Sequence, residues 1–178
     1  MCAQGAGWTS DGPGFVLPRP AKSGIYAAEL TTPSGGRYLA PFVVGPPAGA
    51  KPKNIAVIAN VTTWNAYNQW GGCSRDLLFE AGAEPGATCE LSFNRPLLDP
   101  PLIGGVRAAT GLTDRDPRAF NQLVRAEIWI HTWLDTLALE HPQYEYDVFT
   151  DIDLHEGISR LRQYKALVIQ TLPEFWTD

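Results

Sequence analysis

Short apolar runs, separated by polar and Gly/Pro-rich stretches, give the first outline of the fold. Residues 23–30 and 38–44 are two such runs, and the sequence Pro-Ser-Gly-Gly at 33–36 lies between them. That turn sequence favours a β-hairpin. Residues 54–60 form a continuous apolar run bounded by polar residues, which is typical of a strand buried on both faces of a parallel sheet. We therefore predict a hairpin followed by a first central strand.

A long amphipathic pattern indicates a helix from Asp116-Pro117 to about Glu140. The carboxylate of Asp116 can cap free amides, and a proline in the first turn loses no hydrogen bond. Trp129 and Trp133 are predicted to pack in the core rather than to form a ligand cage. The predicted apolar face consists of Phe120, Leu123, Val124, Ile128, Ile130, Trp133, Leu134 and Leu137.

The chain then continues as strand, short helix and strand. Residues 146–151 and 164–170 are the apolar runs, and the helical piece between them ends at Gln163. This alternation predicts consecutive units of a parallel sheet. In such sheets ligands bind beyond the carboxyl ends of the strands, which here are residues 61–67, 150–155 and 171–176.

The segment from Val61 to Asp116 is predicted to be mostly irregular. It contains two Gly-Gly pairs and several prolines. An irregular stretch of this length inside a domain is uncommon and is usually functional.

Charge and composition limit the classes of partner. The 178 residues include 14 Lys plus Arg against 19 Asp plus Glu, a net charge of -5, with no long block of like charges. Neither nucleic acid nor an anionic membrane is favoured by this balance. The N-terminal residues lack the pattern of a secretory signal, and no apolar run is long enough for a membrane span. We therefore predict a cytoplasmic protein whose partner is a small molecule or another protein.

Three cysteines, Cys2, Cys73 and Cys89, form no C-x-x-C pair. A disulfide framework or a structural zinc site is therefore not expected. Cys73 follows two glycines and is a candidate nucleophile, but a buried free thiol is the favoured interpretation.

Several motifs occur in the order found in one known family. They are TWNAYNQWGG at 63–72, SFNRP at 92–96 and PEFW at 173–176, preceded by SGIY at 23–26 and PFVV at 41–44. Together they resemble the N,N-dimethylformamidase large (beta) subunit-like family. The first motif is specific, and the others add weight in combination.

The resemblance implies an α/β fold: a three-layer, mostly parallel open sheet of the class I glutamine amidotransferase-like type. Residues 1–48 would be a β-rich, Pro/Gly-rich lead-in, and residues 49–178 the N-terminal part of the α/β domain. In the family the chain continues beyond this point. We therefore expect an incomplete domain, with a small subunit or a second copy of the chain completing the fold.

The family hydrolyses small N-substituted formamides with a mononuclear iron held by two tyrosinates and one glutamate. Oxygen ligands of this kind suit a ferric ion acting as a Lewis acid. Carried over to this sequence, Tyr67 and Glu174 would be metal ligands. The candidate catalytic residues are Glu174 and Asn68, which directly follows Tyr67.

Two positions depart from the family pattern. Leu172 stands where the family has a histidine beside the glutamate, and Leu97 stands where the second tyrosine is expected. Asp76 or Asp99 could supply a substitute oxygen.

Each candidate also has an ordinary structural explanation. Tyr67 could be a buried tyrosine that binds a backbone acceptor, and Glu174 could cap a following helix. Arg95 could orient a carboxylate or pair with an acidic neighbour. Two interpretations apply to Asp147, Asp151, Asp153, His155 and Glu156: a divalent-cation site, or a solvated turn that caps the short helix. We favour the second.

Two histidines belong to the long helix. His131 lies within it and His141 lies at its C-terminal end, where a protonated imidazole would suit the helix dipole. Neither is a strong catalytic candidate.

Two functional hypotheses therefore remain. The first is a metal-dependent amide hydrolase acting on small N-substituted formamides, and the second is a non-catalytic fragment or binding module of the same fold. A cysteine nucleophile of the glutamine amidotransferase type is disfavoured, because no cysteine follows the strand that ends at Gln170.

Overall fold

The computed structural model of the chain describes residues 22–68, 70, 82, 90–97, 123–170 and 172–176, apart from three side chains, those of Arg37, Leu123 and Arg125. Several sequence-based predictions lie outside these residues: the helix start at Asp116-Pro117, the packing of Phe120, the three cysteines, and Asp76 and Asp99. Within the described ranges, no helix has the length and apolar character needed to cross a membrane.

The N-terminal part of the described chain is the predicted hairpin. Strands β1 (Gly24–Thr31) and β2 (Arg37–Val44) pair antiparallel, with Gly24 opposite Val44. The turn between them needs its glycine, because Gly35 has a φ of 85°. The hairpin prediction is therefore confirmed.

The central sheet has three parallel strands, β3 (Ile55–Ala59), β4 (Tyr146–Thr150) and β5 (Ala166–Ile169). Their order is β4-β3-β5, so β3 lies in the middle and pairs with both partners. Residues 56–59 of β3 are completely buried. The continuous apolar run was thus correctly interpreted as a strand covered on both faces.

Helix α1 (Val61–Tyr67) begins directly after β3, so the prediction of irregular chain from Val61 was wrong there. The side chain of Asn60 makes no cap hydrogen bond. Instead, the backbone N–H of Thr62 donates to Oδ2 of Asp151 at 3.1 Å, and the Thr62 hydroxyl donates to the same carboxylate. The cap comes from a residue 89 positions away, which no local pattern reveals.

Helix α2 (Leu123–Glu140) ends at the predicted residue, and its buried face matches the predicted apolar face only in part. The buried positions include Val124, Glu127, His131 and Leu134, at the spacing of one helix face. Of the predicted apolar face, Ile128 is 44% exposed and Trp133 62% exposed. Trp129 is also exposed, at 64%, so the prediction that both tryptophans pack in the core was wrong.

The two faces of the sheet have separate cores. On one face, α2 and the hairpin pack against Val57, Ala59 and Val148. On the other, Ala56, Ile58 and Phe149 are covered by three partly buried side chains, Leu154, Leu161 and Tyr164. The described residues therefore form a mixed α/β unit with apolar packing on both sides of β3.

A short helix, α3 (Asp151–Glu156), connects β4 towards β5. Its N-terminus has a capping box, in which Thr150 and Asp153 bind each other's backbone amides. The helix stops at Gly157, where φ is 138°, and a 3-10 turn at Leu161–Gln163 follows. The predicted helical piece before β5 is thus two short elements.

Candidate functional site

Tyr67 and Glu174 meet beyond the carboxyl ends of β3 and β5. Tyr67 is the last residue of α1, and Glu174 follows β5 in the segment 172–176, which has no helix or strand. The Tyr67 hydroxyl donates to Oε2 of Glu174 at 2.7 Å, across 107 positions of sequence. The structure therefore brings together the two residues proposed as metal ligands.

The surroundings of this pair are half-open. The ring of Tyr67 is half-buried and packs edge-on against Phe175, with 5.9 Å between ring centroids. Glu174 is exposed and Leu172 is half-buried. A phenol and a carboxylate in contact at a partly exposed edge can share a proton or bind one cation through oxygen.

Arg95 holds the C-terminal end of α1. Its side chain is buried, and Nη2 donates to both the backbone O and Oδ1 of Asn65 at 2.7 Å. Nη1 donates to the backbone oxygens of Asn68 at 3.0 Å and Trp70 at 3.2 Å. These contacts join the last turn of α1 to the residues that directly follow it. Arg95 thus supports the helix that carries Tyr67.

Asn68 lies behind Tyr67 in the same framework and is 2% exposed. Its Nδ2 donates to the backbone O of Pro96 at 2.9 Å, and its Oδ1 accepts from the backbone N–H of Trp70 at 3.2 Å. Both atoms therefore join α1 to the chain around it.

Position 97 contributes to packing. The side chain of Leu97 packs against the core that contains Val57 and Val148. Its backbone oxygen accepts from the Tyr38 hydroxyl at 2.6 Å. An apolar side chain supplies no metal ligand at the position where the resemblance implies a tyrosine.

The acidic residues within and directly after β4 cap and bridge structural elements. Asp147 accepts from the Tyr164 hydroxyl at 2.7 Å, which joins β4 to the chain before β5. Asp151 caps α1, and burial raises its pKa above the ordinary value. Asp153 belongs to the capping box of α3. Within the described chain, no three His, Cys, Asp or Glu side chains are grouped to hold a metal.

Glu127 is a site residue that sequence reasoning missed. It is 1% exposed, and its Oε1 accepts from the backbone N–H of Asn60 at 3.1 Å and from Nε1 of Trp64 at 3.1 Å. Burial raises the pKa of the carboxyl to about 7. The available signal was its position three residues after Val124 and seven before Leu134, on one helix face.

His131 lies one turn further along α2 and is also buried. Its Nε2 is 3.1 Å from Nε2 of Gln170, an amide nitrogen that can only donate. Nδ1 of His131 therefore carries the hydrogen and faces the Tyr146 hydroxyl at 3.2 Å. Burial lowers the pKa of His131 to about 4. The imidazole is thus neutral near pH 7, in a structural role.

A cavity of about 460 Å³ lies between the hairpin and α1. Its walls include the aromatic side chains of Tyr38, Phe42, Trp64 and Phe93. Neither Tyr67 nor Glu174 lines it, so the cavity shares α1 with that pair but not its oxygen atoms.

Comparison with known proteins identifies the family of this chain. A family model described as N,N-dimethylformamidase beta subunit-like, C-terminal, matches residues 3–178. The N,N-dimethylformamidase beta subunit of an Alcaligenes species is 27% identical over 201 residues, and that of Paracoccus aminophilus is 26% identical over 201 residues. Each alignment covers 99% of this chain and 25% of the relative, so the chain spans about a quarter of the length of these curated relatives. The chain belongs to the N,N-dimethylformamidase beta subunit-like family.

Proposed function

We propose that this chain is part of an amide hydrolase for small N-substituted formamides, with an iron ion held by Tyr67 and Glu174. The contact between the Tyr67 hydroxyl and Glu174 at 2.7 Å carries the proposal, because it joins two oxygen donors at the carboxyl edge of the sheet. Membership of the family and the names of the two relatives support the same activity.

The donor chemistry fits a ferric ion in part. A phenolate and a carboxylate are hard oxygen ligands, and both groups are present. Leu97 leaves the expected third position without a donor, so further ligands would be water or groups beyond the described residues. The bound ion would act as a Lewis acid on the amide carbonyl.

The reaction itself needs one water molecule. Water adds to the carbonyl carbon, the C–N bond breaks, and formate and an amine are released. The exposed carboxylate of Glu174 would take a proton from the attacking water and pass it to the leaving nitrogen, which restores the carboxylate. Asn68 contributes by fixing the segment next to Tyr67.

The same proposal includes the remaining architecture. The α/β unit would belong to a class I glutamine amidotransferase-like domain, completed by a small subunit or a second copy. The names of the relatives, which are beta subunits, support an assembly with partners.

Titration of the purified protein with ferric iron tests the proposal. We expect a visible tyrosinate-to-iron charge-transfer band that Tyr67→Phe abolishes. Glu174→Gln should weaken iron binding by at least about tenfold, since loss of even an outer-sphere partner has effects of that size. The rate of formate release from N,N-dimethylformamide should decrease from the unmodified protein to Glu174→Gln and from Glu174→Gln to Tyr67→Phe.

Matched control variants remove a tyrosine hydroxyl and a glutamate carboxylate at positions outside the site. Tyr144→Phe and Glu156→Gln change an exposed tyrosine and an exposed glutamate outside the site and should leave the band unchanged. A colourless protein that gains neither a band nor activity from added iron would contradict the proposal.

A second candidate function is a non-catalytic partner-binding module. The observation in its favour is the outer strand β5, where Leu167 is 48% and Ile169 46% exposed on one face. Apolar side chains on an open strand favour association. Light scattering together with the iron titration distinguishes the two functions. A stable complex that binds no iron supports the partner-binding module, and an iron-binding monomer contradicts it.

A further inference from the structure

Glu127 joins α2 to the start of α1. A single oxygen, Oε1, accepts hydrogen bonds from the backbone N–H and Nδ2 of Asn60 and from Nε1 of Trp64. Asn60 is the residue between β3 and α1, and Trp64 lies in the middle of that helix. A buried carboxyl group therefore links the start of α1 and the end of β3 to α2.

Glu127, Asn60, Trp64, Gln170 and His131 form one buried polar cluster, which reaches the end of β5. Nδ2 of Asn60 also donates to the backbone O of Gln170 at 3.2 Å. Nε2 of Gln170 donates to the backbone O of Ile58 at 3.2 Å and to Nε2 of His131. Glu127 and His131 on one face of α2 thus hold both strand ends from which Tyr67 and Glu174 follow.

The cluster contains more acceptors than donors. Asn60 Oδ1, Thr63 Oγ1, Glu127 Oε2 and Gln170 Oε1 are buried, and within the described chain they have no hydrogen-bond partner. Two of these atoms are amide oxygens, which only accept, and an ionised carboxylate would add a third. A proton on Glu127 supplies a donor and removes a buried charge.

We propose that Glu127 acts as a neutral carboxylic acid that positions the ends of β3 and β5, and with them Tyr67 and Glu174. The importance of that pair rests on the proposed function, whereas the state of Glu127 does not. Burial also raises the pKa of Glu127 to about 7, so that the neutral form is the main one below this pH. The titratable and charged groups around the cluster are Asp151, His131, Asp135 and Lys22.

A double-mutant cycle tests the positioning role without iron. Tyr67→Phe and Glu174→Gln, made singly and together, measure the coupling between these residues from denaturant unfolding. We expect the coupling to persist in Glu127→Gln, which keeps an acceptor oxygen, and to vanish in Glu127→Leu. Coupling of equal size in the Leu background, or its loss in both, would overturn the positioning role.

Trp64→Phe provides a second variant if Glu127→Leu does not fold. It removes one donor to Oε1 and leaves an aromatic ring in place. We expect a reduced coupling between residues 67 and 174, and an unchanged coupling contradicts the proposal.

The pH dependence of stability tests the neutral state. Since the pKa of Glu127 is about 7 in the folded protein against 4.5 ordinarily, its contribution to stability is lost as pH rises from about 4.5 to about 7. The melting temperature of Glu127→Gln relative to the unmodified protein should therefore rise over this window. The control Glu156→Gln should show no such change.

A constant difference between Glu127→Gln and the unmodified protein would show that Glu127 is ionised. If the unmodified protein binds no ferric iron, the proposed function fails. The coupling and the pH dependence still decide on Glu127 in that case.

Discussion

Buried side chains hold α1 at both of its ends. At its start, Asp151 accepts from the backbone N–H of Thr62, and Glu127 accepts from Asn60 and from the indole of Trp64. At its end, Arg95 donates to the backbone O of Asn65. The arrangement follows the needs of a helix, whose first amides and last carbonyls lack partners within the helix. Tyr67, at the end of α1, owes its position to both.

Replacing Arg95 should destabilise the protein strongly. Arg95→Ala would leave several buried carbonyls without donors, and we expect a loss of about 3 kcal/mol in the free energy of unfolding. Arg95→Lys should recover little, because an ammonium cannot reproduce the planar fork of donors. Urea unfolding measures both, with the exposed Arg162→Ala as a control. A loss below about 1 kcal/mol would show that the hydrogen bonds of Arg95 are dispensable.

Sequence reasoning at this scale found some residues and missed others. Tyr67 and Glu174 were proposed because the motifs resemble a known family and because both follow apolar strands, and the structure shows them in contact. Glu127 was missed, since a glutamate in an amphipathic helix ordinarily marks its exposed face.

The helices differ in how far their own sequence determines them. α3 has its capping box in adjacent residues, Thr150 and Asp153, whereas α1 is capped by Asp151 from a distant part of the chain. α2 was predicted from periodicity, but its orientation depends on polar strand ends, Asn60 and Gln170, that need polar partners. Periodicity alone places Trp129 and Trp133 inside and Glu127 outside, which is the reverse of what α2 shows at these three positions.

Paired substitutions in α2 test its orientation. Leu134 is 2% exposed, so Leu134→Ala should lower the free energy of unfolding by about 3 kcal/mol. Trp133 is the neighbouring residue and is 62% exposed, so Trp133→Ala should change it by less than about 1 kcal/mol. Denaturant unfolding of both variants gives the comparison, and a larger loss for Trp133 would reverse the assignment of the buried face.

At the scale of the whole described chain, two buried titratable groups, Glu127 and His131, have opposite effects of pH on stability. Glu127 is stabilising when protonated, and His131 when neutral. Between about 4.5 and 6.5 the two contributions change in opposite directions, so they partly cancel. The free energy of unfolding of the unmodified protein should therefore vary less with pH than it would if only one of the two groups were present.

His131→Gln should reduce the loss of stability in acid. The pKa of His131 is lowered from 6.5 to about 4 in the folded protein, so its contribution is present above about 6.5 and is lost as pH falls through about 4. That contribution is up to about 3 kcal/mol. Urea unfolding across this range measures it, with the exposed His141→Gln as a control. An identical acid profile in His131→Gln and the unmodified protein would contradict the assignment.

At this scale the sequence predicted the hairpin, the three strands and their parallel arrangement, because each depends on a local pattern of apolar residues and turns. It did not predict α1, the buried face of α2 or the polar cluster, because these depend on contacts between distant segments. The candidate site follows the same division: the strand ends were predictable, and the groups that hold them in place were not.

The strand order has a consequence for folding kinetics. β3 ends at residue 59, but the strands on either side of it begin at residues 146 and 166. Until those segments are synthesised, an apolar strand remains unpaired at both edges, whereas the hairpin can close within microseconds. Pairing over such distances in sequence makes folding slow. The newly made chain is therefore most prone to aggregate after β3 leaves the ribosome and before β4 and β5 arrive.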